Sequence, residues 1–452
     1  MLSDMVIRSV VIKNFRCLKD IYLKLNKFNI IWGLNGTGKS SIFESIYLFK
    51  QYTRKNISST SRGDEFRIGY GDYKDIFRNG NLEEPITIDI ELQVGKSFRE
   101  RINRITNKIN KIFSSREMDD DLISQKYRSI TYRYSFSFRN SVLFYDISYF
   151  LDDEEIMSFG TDKSEIKGNI IRFNIPKSIR NEILIHQQST DILSPLLFSE
   201  VKDYHELINL YAELSIQLNN RFRNNVNRYY LLNPMRATIP ISTQTIPIPD
   251  WIGLNGKYVL EFLSQIWGSR KYKEIKDKIA FWASEFGLQD LSAGWHGGQI
   301  LQADFEDPET GYVFNLSFAG TGSRQLIPVI IQLFNSPRGS TIAIEEPEIS
   351  LHLEWQIKLF EMFYDAISQN KQIIISTHSP DFIPILEGFL KKHPDMIKFT
   401  SVYSLNKKED GSSVIKIPIT KKGNLTKLPK NLKNAQDKLM KQFIDNLPVD
   451  EA

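Results

Sequence analysis

The apolar positions change period several times along the chain, and each change marks an element. Phe28 to Trp32 is an apolar run of strand length, and Ser41 to Phe49 then sets Ile42, Ser45, Ile46 and Phe49 on one face of a helix. PITIDIELQ, Pro85 to Gln93, alternates and predicts a strand. Residues 96–116 repeat at the helical period, with Ile102, Ile105, Ile109 and Ile112 along one side. SITYRYSFSFRNSVLFYDISYFL, Ser129 to Leu151, alternates strongly and predicts two or three antiparallel strands. From Tyr204 to Leu232 the period is again helical, with Leu207, Leu210, Tyr211, Leu214 and Leu218 on one face, and helices continue from Lys257 to Gly287. Strand signals return near Ile300, and Ile342 to Ile344 and Ile373 to Ile375 read as the ends of buried strands. No heptad pattern lasts several repeats, and there is no internal repeat or low-complexity segment.

Composition narrows the class without naming a function. The chain has 452 residues, 41% hydrophobic and 25% charged, which is a globular profile long enough for two or three domains. Cys17 is the only cysteine, so no internal disulfide can form and a reducing, cytoplasmic setting is expected. No apolar run reaches the length of a membrane span; LIPVIIQLF is about half of it. MLSDMVIRSVVIKNF carries charges and no small-residue cleavage pattern, so a signal peptide is not expected. A net charge of +4 permits nucleic-acid binding without arguing for it.

Each of three apolar runs ends in chemistry. Gly33-Leu34-Asn35-Gly36-Thr37-Gly38-Lys39-Ser40 meets the P-loop spacing at every fixed position and stands between a strand and a helix, as that motif requires. Its glycines let backbone N–H groups point inward around phosphate oxygens, and the helix N-terminus at Ser40 and Ser41 adds partial positive charge. Lys39 would reach the β- and γ-phosphates of ATP, and the Ser40 hydroxyl would ligate Mg²⁺. Ile344 is followed by two adjacent glutamates, Glu345 and Glu346. Paired carboxylates leaving a buried strand repel each other and need a cation, which a P-loop nucleotide brings as Mg²⁺. Glu345 is therefore expected to hold the metal, directly or through water, and Glu346 to polarise the attacking water. Ile375 is followed by Ser376, Thr377 and His378; His378 would contact the γ-phosphate or the water, or else cap the helix that Ser379-Pro380 opens.

Other motifs are better read as turns. NKKED, Asn406 to Asp410, has Glu409 where a guanine-reading motif needs Asp, and it lies between two predicted strands, so ATP is expected rather than GTP. GLNGK at Gly253 lacks the P-loop spacing, and DFEDPE, Asp304 to Glu309, is expected to turn a hairpin. The six histidines, His186, His205, His296, His352, His378 and His393, show no metal-ligand spacing. Two basic stretches remain. One is Lys96, Arg99, Arg101, Arg104, Lys108, Lys111 and Arg116; the other is Lys421, Lys422, Lys427, Lys430, Lys433, Lys438 and Lys441. Either would suit phosphate backbones, and either would suit a solvated face over an apolar seam.

Taken together, these residues resemble the ABC-type ATPases of the RecF, SMC and OLD group, and within it the stand-alone ATPases of bacterial defence loci. VIKNFRCLKD resembles the group's opening strand and turn, GLNGTGKSS its Walker A, and IAIEEPEISLH its Walker B and D-loop. STHSP resembles its H-loop, and DYKDIFRNG sits where its Q-loop region falls. YLLNPMRATIP and WIGLNGKYVLEFL resemble a mid-chain stretch of the same ATPases. The resemblance covers roughly residues 5–95 and 230–405. NLSFAGTGSRQLIPVIIQLF stands in the signature position, where Ser317, Gly320, Gly322, Ser323 and Gln325 supply small and polar residues, although it is not LSGGQ. Leu353 also stands where the group usually has Pro.

The resemblance implies an α/β fold: a P-loop NTPase head with a mixed sheet, flanking helices and an inserted α+β region. On that reading residues 1–95 form an N-lobe, 96–295 the insertion, 296–420 a C-lobe and 421–452 a lysine-rich tail. It implies ATP and Mg²⁺ as cofactors. It also implies a head-to-tail homodimer or higher oligomer, in which the signature of one copy meets the γ-phosphate bound by its neighbour. OLD-type relatives carry a C-terminal metal-dependent nuclease, and no strand ending in Asp-x-Asp follows His378 here. The implied role is an ATPase that senses or scaffolds and controls a separately encoded effector, of nuclease type, as in anti-phage systems of the Septu, PARIS or retron-associated kind. The alternative is a RecF-like repair ATPase that binds DNA; a transporter ATPase fits the signature and the insertion poorly.

Overall fold

The structure, a computed structural model, describes residues 7–54, 73–93, 95–114, 129–139, 142–161, 169–173, 183–187, 205–236, 239–241, 251–297 and 300–428. The chain begins with β1 (Ser9–Phe15), β2 (Leu18–Lys24), β3 (Phe28–Gly33), α1 (Lys39–Arg54), β4 (Ile86–Gln93) and α2 (Lys96–Ser114). Five strands follow, β5 (Ser129–Arg139), β6 (Val142–Leu151), β7 (Glu154–Thr161), β8 (Asn169–Phe173) and β9 (Ile183–Gln187). Then come α3 (His205–Asn227), β10 (Tyr229–Leu232), α4 (Val259–Trp267), α5 (Lys273–Glu285), β11 (Gln289–His296), β12 (Ile300–Glu306) and β13 (Val313–Asn315). The last part holds α6 (Thr321–Asn335), β14 (Thr341–Glu345), α7 (Leu353–Ser368), β15 (Gln372–Thr377), α8 (Phe382–Lys392), β16 (Thr400–Lys408) and β17 (Gly411–Ile417).

One mixed sheet of 14 strands carries the fold, in the order β10-β14-β15-β3-β16-β17-β2-β1-β4-β5-β6-β7-β8-β9. From β10 to β16 the neighbours are parallel. Parallel strands are covered on both faces, which is why β3, β14 and β15 are continuous apolar runs and are buried at every position. Successive side chains serve opposite cores: Phe28, Ile30 and Trp32 pack with α4, α6, α7 and α8, while Ile31 packs with α1 and α3. From β1 through β9 the pairing is antiparallel apart from the contact of β17 with β2.

One feature of this sheet differs from the periodicity. The helix expected through Leu232 ends at Asn227, and Tyr229–Leu232 instead pairs in parallel with Thr341–Ile344 as an outer strand. Four consecutive apolar residues fit a strand buried on both faces as well as they fit a helix, and the free edge of β14 selects the strand. The strands after residue 96 continue the sheet: Ile86–Gln93 pairs with Ser129–Phe136. Helix α2 forms as expected, with Ile102, Ile105 and Ile109 buried beneath its basic face. Asp304–Glu309 runs from the end of β12 into the turn that leads to β13, and Asn406–Asp410 runs from the end of β16 into the turn before β17, so both lie in hairpins. Arg116 and the lysines at 430, 433, 438 and 441 lie outside the described residues.

Candidate active site

In the sheet β15 lies between β14 and β3, so the segments after Gly33, Glu345 and Thr377 leave three adjacent parallel strands at the same end. The carboxyl ends of parallel strands are where open α/β sheets bind ligands. All three predicted motifs therefore meet although they are far apart in the chain.

The P-loop is built by close packing. Gly38 has φ +97°, and a Cβ there would lie 2.7 Å from Cys17 Sγ and 2.8 Å from Leu18 Cδ2, so only glycine fits. Thr37 donates its hydroxyl to the Leu34 carbonyl at 2.8 Å. Leu34, Asn35 and Gly36 are exposed at the tip, and Ser41 is buried beside Cys17. Lys39 donates to the carbonyls of Gly33 at 2.7 Å and Leu34 at 3.1 Å. Burial lowers its ammonium from the ordinary value, while Glu346, Glu345 and Glu348 hold it up. The cation thus faces three carboxyl groups.

Ser40, in the first turn of α1, donates its hydroxyl to Glu345 Oε2. Burial pushes the Glu345 carboxyl up to about 7; the Ser40 hydrogen bond opposes this, and Glu44 and Glu346 add to it. A hydroxyl and a carboxylate side by side form a hard oxygen donor pair, the kind that holds Mg²⁺ together with nucleotide phosphates, so these residues fit the ion. Glu346 takes a left-handed backbone conformation, φ 43°, which costs a non-glycine residue on the order of 1 kcal/mol or more. Its N–H donates to the Ser376 carbonyl at 2.9 Å, and its Oε1 lies 3.0 Å from Nδ1 of His378. The strained turn thus aims one carboxylate at the histidine while Glu345 turns to Ser40.

Sequence reasoning missed two residues here. Glu348 is buried and accepts the Thr377 hydroxyl on Oε1, while its Oε2 has no hydrogen-bond partner among the described residues. Burial pushes it up to about 7, opposed by that hydrogen bond. Arg236, four residues beyond β10, is 5% exposed and donates through Nη2 to the Glu345 carbonyl at 2.9 Å. Burial lowers it to about 10, against Glu348, Glu345 and Glu346, so it stays charged at neutral pH. No local signal marked Arg236, which follows β10 at a distance of four residues. Glu348 had the signal of a third acid in EEPE.

The raised Glu348 carboxyl makes a testable claim about stability. Below pH 4.5 the folded and unfolded states both hold this proton. Between 4.5 and 7 the unfolded chain releases it first, so stability falls as pH rises, by about 3 kcal/mol in all from this group. Glu348→Gln removes that contribution. Its stability relative to wild type, measured by urea unfolding, should therefore rise by about 3 kcal/mol from pH 4.5 to pH 8. A difference that does not change with pH would show that the carboxyl is not held neutral by burial.

The signature segment is placed residue by residue. Ser317 is half-buried in a short 3-10 turn and donates its hydroxyl to Asn315 Oδ1 at 2.7 Å. Gly320 is exposed before α6. A Cβ on Gly322 would lie 2.8 Å from the Ser350 carbonyl, so this glycine lets α6 touch the segment after Glu346. Ser323 points into the core, where its hydroxyl donates to the Phe286 carbonyl at 3.1 Å. Gln325 accepts from the Arg236 main chain at 3.2 Å. Gly320 is thus exposed and the half-buried Ser317 bonds within its own turn, whereas Ser323 and Gln325 are tied to Phe286 and Arg236.

An "ATP/GTP phosphatase" of Helicobacter pylori is 22% identical over 430 residues, covering 91% of this chain and 94% of that protein. Among solved structures, an SMC head bound to the C-terminal winged-helix domain of ScpA aligns with a TM-score of 0.45 and 12% identity, over 92% of this chain and 98% of that one. An SMC head of Pyrococcus furiosus with an extended coiled coil, also bound to a ScpA domain, aligns with a TM-score of 0.43 and 13% identity, over 97% and 99%. The AAA ATPase domain family matches residues 5–383, which span the P-loop, the paired glutamates and His378, and the chain belongs to that family of ATPases.

Proposed function

We propose that this ATPase binds Mg-ATP at the P-loop, hydrolyses it as a homodimer or higher oligomer with composite sites, and uses the cycle to control a separately encoded effector of nuclease type in anti-phage defence. The observation that carries the enzymatic part is the convergence of Lys39, Ser40–Glu345 and Glu346–His378 at adjacent strand ends. ATP would lie with its phosphates against the backbone of residues 36–41 and the Lys39 ammonium. Ser40 and Glu345 would hold Mg²⁺, which when bound supplies charge for the phosphate oxygens. Glu346 accepts the proton of the attacking water, and His378 orients that carboxylate and senses the terminal phosphate.

The oligomer is supported by the surface around the signature. Phe318 is 68% exposed beside Ser317, and Leu353 is 57% exposed after His352, which suits burial against a second copy. Ser317 and Gly320 are the signature residues proposed to reach the neighbour's nucleotide. The effector-control reading is supported by the motif resemblance and by β5–β9, which extend the sheet on the side away from β14 and β15 and are not needed to build the site. A second reading, DNA binding, is favoured by one cleft between α2 and α3, lined by Arg101, Arg104, Ile105, Lys108, Glu213 and Gln217.

The test is to isolate the Glu346→Gln form from its native host with ATP and Mg²⁺ and to weigh the intact complex by native mass spectrometry. A stoichiometric second protein whose own activity changes with the nucleotide supports effector control. Protection of cells with no partner gene present refutes it. A dimer carrying nuclease-sensitive DNA, with an affinity that falls steeply as salt rises, shifts the function to DNA.

A further inference from the structure

We infer that Arg236 is a positioning residue for hydrolysis: its guanidinium, anchored to Gln325 of α6, holds the carbonyl of Glu345 and with it the turn that presents Glu346 to the attacking water. The inference rests on the hydrolytic role proposed for Glu346 and adds to it a mechanical link with the signature helix.

The geometry is specific. Leu232 pairs with Ile344, so β10 delivers Arg236 to the place where β14 ends. Its Nη2 donates to the Glu345 carbonyl at 2.9 Å. Its own N–H donates to Gln325 Oε1 at 3.2 Å, and Nη1 lies 3.5 Å from the same oxygen. The peptide bond whose oxygen it holds is the one that enters Glu346, at φ 43°. The other side of that turn is held by the Glu346 N–H to the Ser376 carbonyl. A strained backbone persists only where its surroundings over-determine it, and these two bonds do so from opposite strands.

Helix α6 is in turn tied to the same turn region at Gly322 and to the core at Ser323. A shift of α6, as when a ligand or second copy engages Ser317 and Gly320, therefore reaches Glu346 through Gln325 and Arg236. The residue type follows from the task. The guanidinium sets one nitrogen on Glu345 and a second beside Gln325 in a fixed planar geometry, whereas a lysine keeps the charge and the main-chain bond to Gln325 but carries its donors on a single nitrogen with no fixed fork. Neutralising the buried acids would need the charge alone, and this separates a positioning role from a merely structural one.

The test uses the full chain and steady-state ATP hydrolysis, with Mg-ATP affinity measured by titration. Wild type must turn over ATP and Glu346→Gln must arrest; failure of either overturns the hydrolytic reading itself. Given both, Arg236→Lys should lower kcat on the order of 100-fold, the cost of about an ångström of misplacement at a reacting group, with Kd for ATP within a few-fold. Gln325→Met should lower kcat about tenfold, and it should add little on the Arg236→Lys background, because both act through one link. Turnover by Arg236→Lys close to wild type, a loss confined to ATP affinity, or a double variant whose losses multiply would each overturn the inference. Gln325→Met leaves the buried charge in place, so it keeps the test decisive if an arginine variant does not fold.

Discussion

Glu346→Gln should reduce ATP turnover by on the order of 10²–10⁴-fold while leaving Mg-ATP binding within a few-fold of wild type, the range expected when a general base is removed. The amide keeps the size of the side chain, and its oxygen can still accept from Nδ1 of His378, which lies 3.0 Å from Oε1 in the parent. The backbone bonds that hold the turn, Glu346 N–H to Ser376 and Arg236 to Glu345, do not involve the side chain. What is lost is the ability to take a proton. Glu345 is no replacement, since its carboxylate is turned to Ser40. A complex that binds ATP and cannot hydrolyse it should accumulate in the closed oligomer, so the variant should shift from monomer to dimer on adding ATP and Mg²⁺, as read by light scattering. Single-turnover measurement separates chemistry from product release, which limits many such enzymes. Wild-type turnover by Glu346→Gln would remove the assignment of the base.

The parts of this site that were legible in the sequence are those whose information is local. The P-loop carries its own strand, glycines and helix, and the apolar runs before Glu345 and His378 are complete within a few residues. Their meeting at one sheet end follows once all three are taken as parallel strands. The β10 strand was hidden because YYLL has no alternation and directly follows a long helical period, and only its pairing with β14 makes it a strand.

Arg236 was hidden for a different reason. Its partners, Gln325 and Glu345, lie about a hundred positions away, and nothing in the surrounding NPMRATIP shows that the side chain turns inward. The signature serines depend on helical phase. Once α6 begins at Thr321, Ser323 faces Phe286 and Ser317 lies outside the helix. The cation demanded by the paired glutamates was also only half-found. Mg²⁺ was the expected partner of Glu345, and the fold itself adds Arg236 and Lys39 against Glu345, Glu346 and Glu348.

Lys39→Ala should weaken ATP binding at least 100-fold, about 3 kcal/mol, and abolish measurable turnover, because charge-assisted bonds to phosphate are among the strongest single contacts a site makes. Lys39 is 7% exposed, and its ammonium sits on the Gly33 and Leu34 carbonyls, at the base of the loop whose N–H groups would face the phosphates. Removing it takes the ammonium donor from both carbonyls, although Thr37 still donates to that of Leu34, and leaves Glu345, Glu346 and Glu348 with one cation fewer, so an incoming polyphosphate meets net negative charge. Lys39→Arg should not restore binding, since the larger planar group cannot occupy the same buried position. Titration calorimetry with ATP and Mg²⁺ checks both variants, with circular dichroism confirming the fold. If Lys39→Ala binds ATP as wild type does, the phosphates do not lie in this loop. Loss of affinity in Lys39→Ala together with retained affinity in Glu346→Gln would place binding on the β3 side and chemistry on the β14–β15 side of one site.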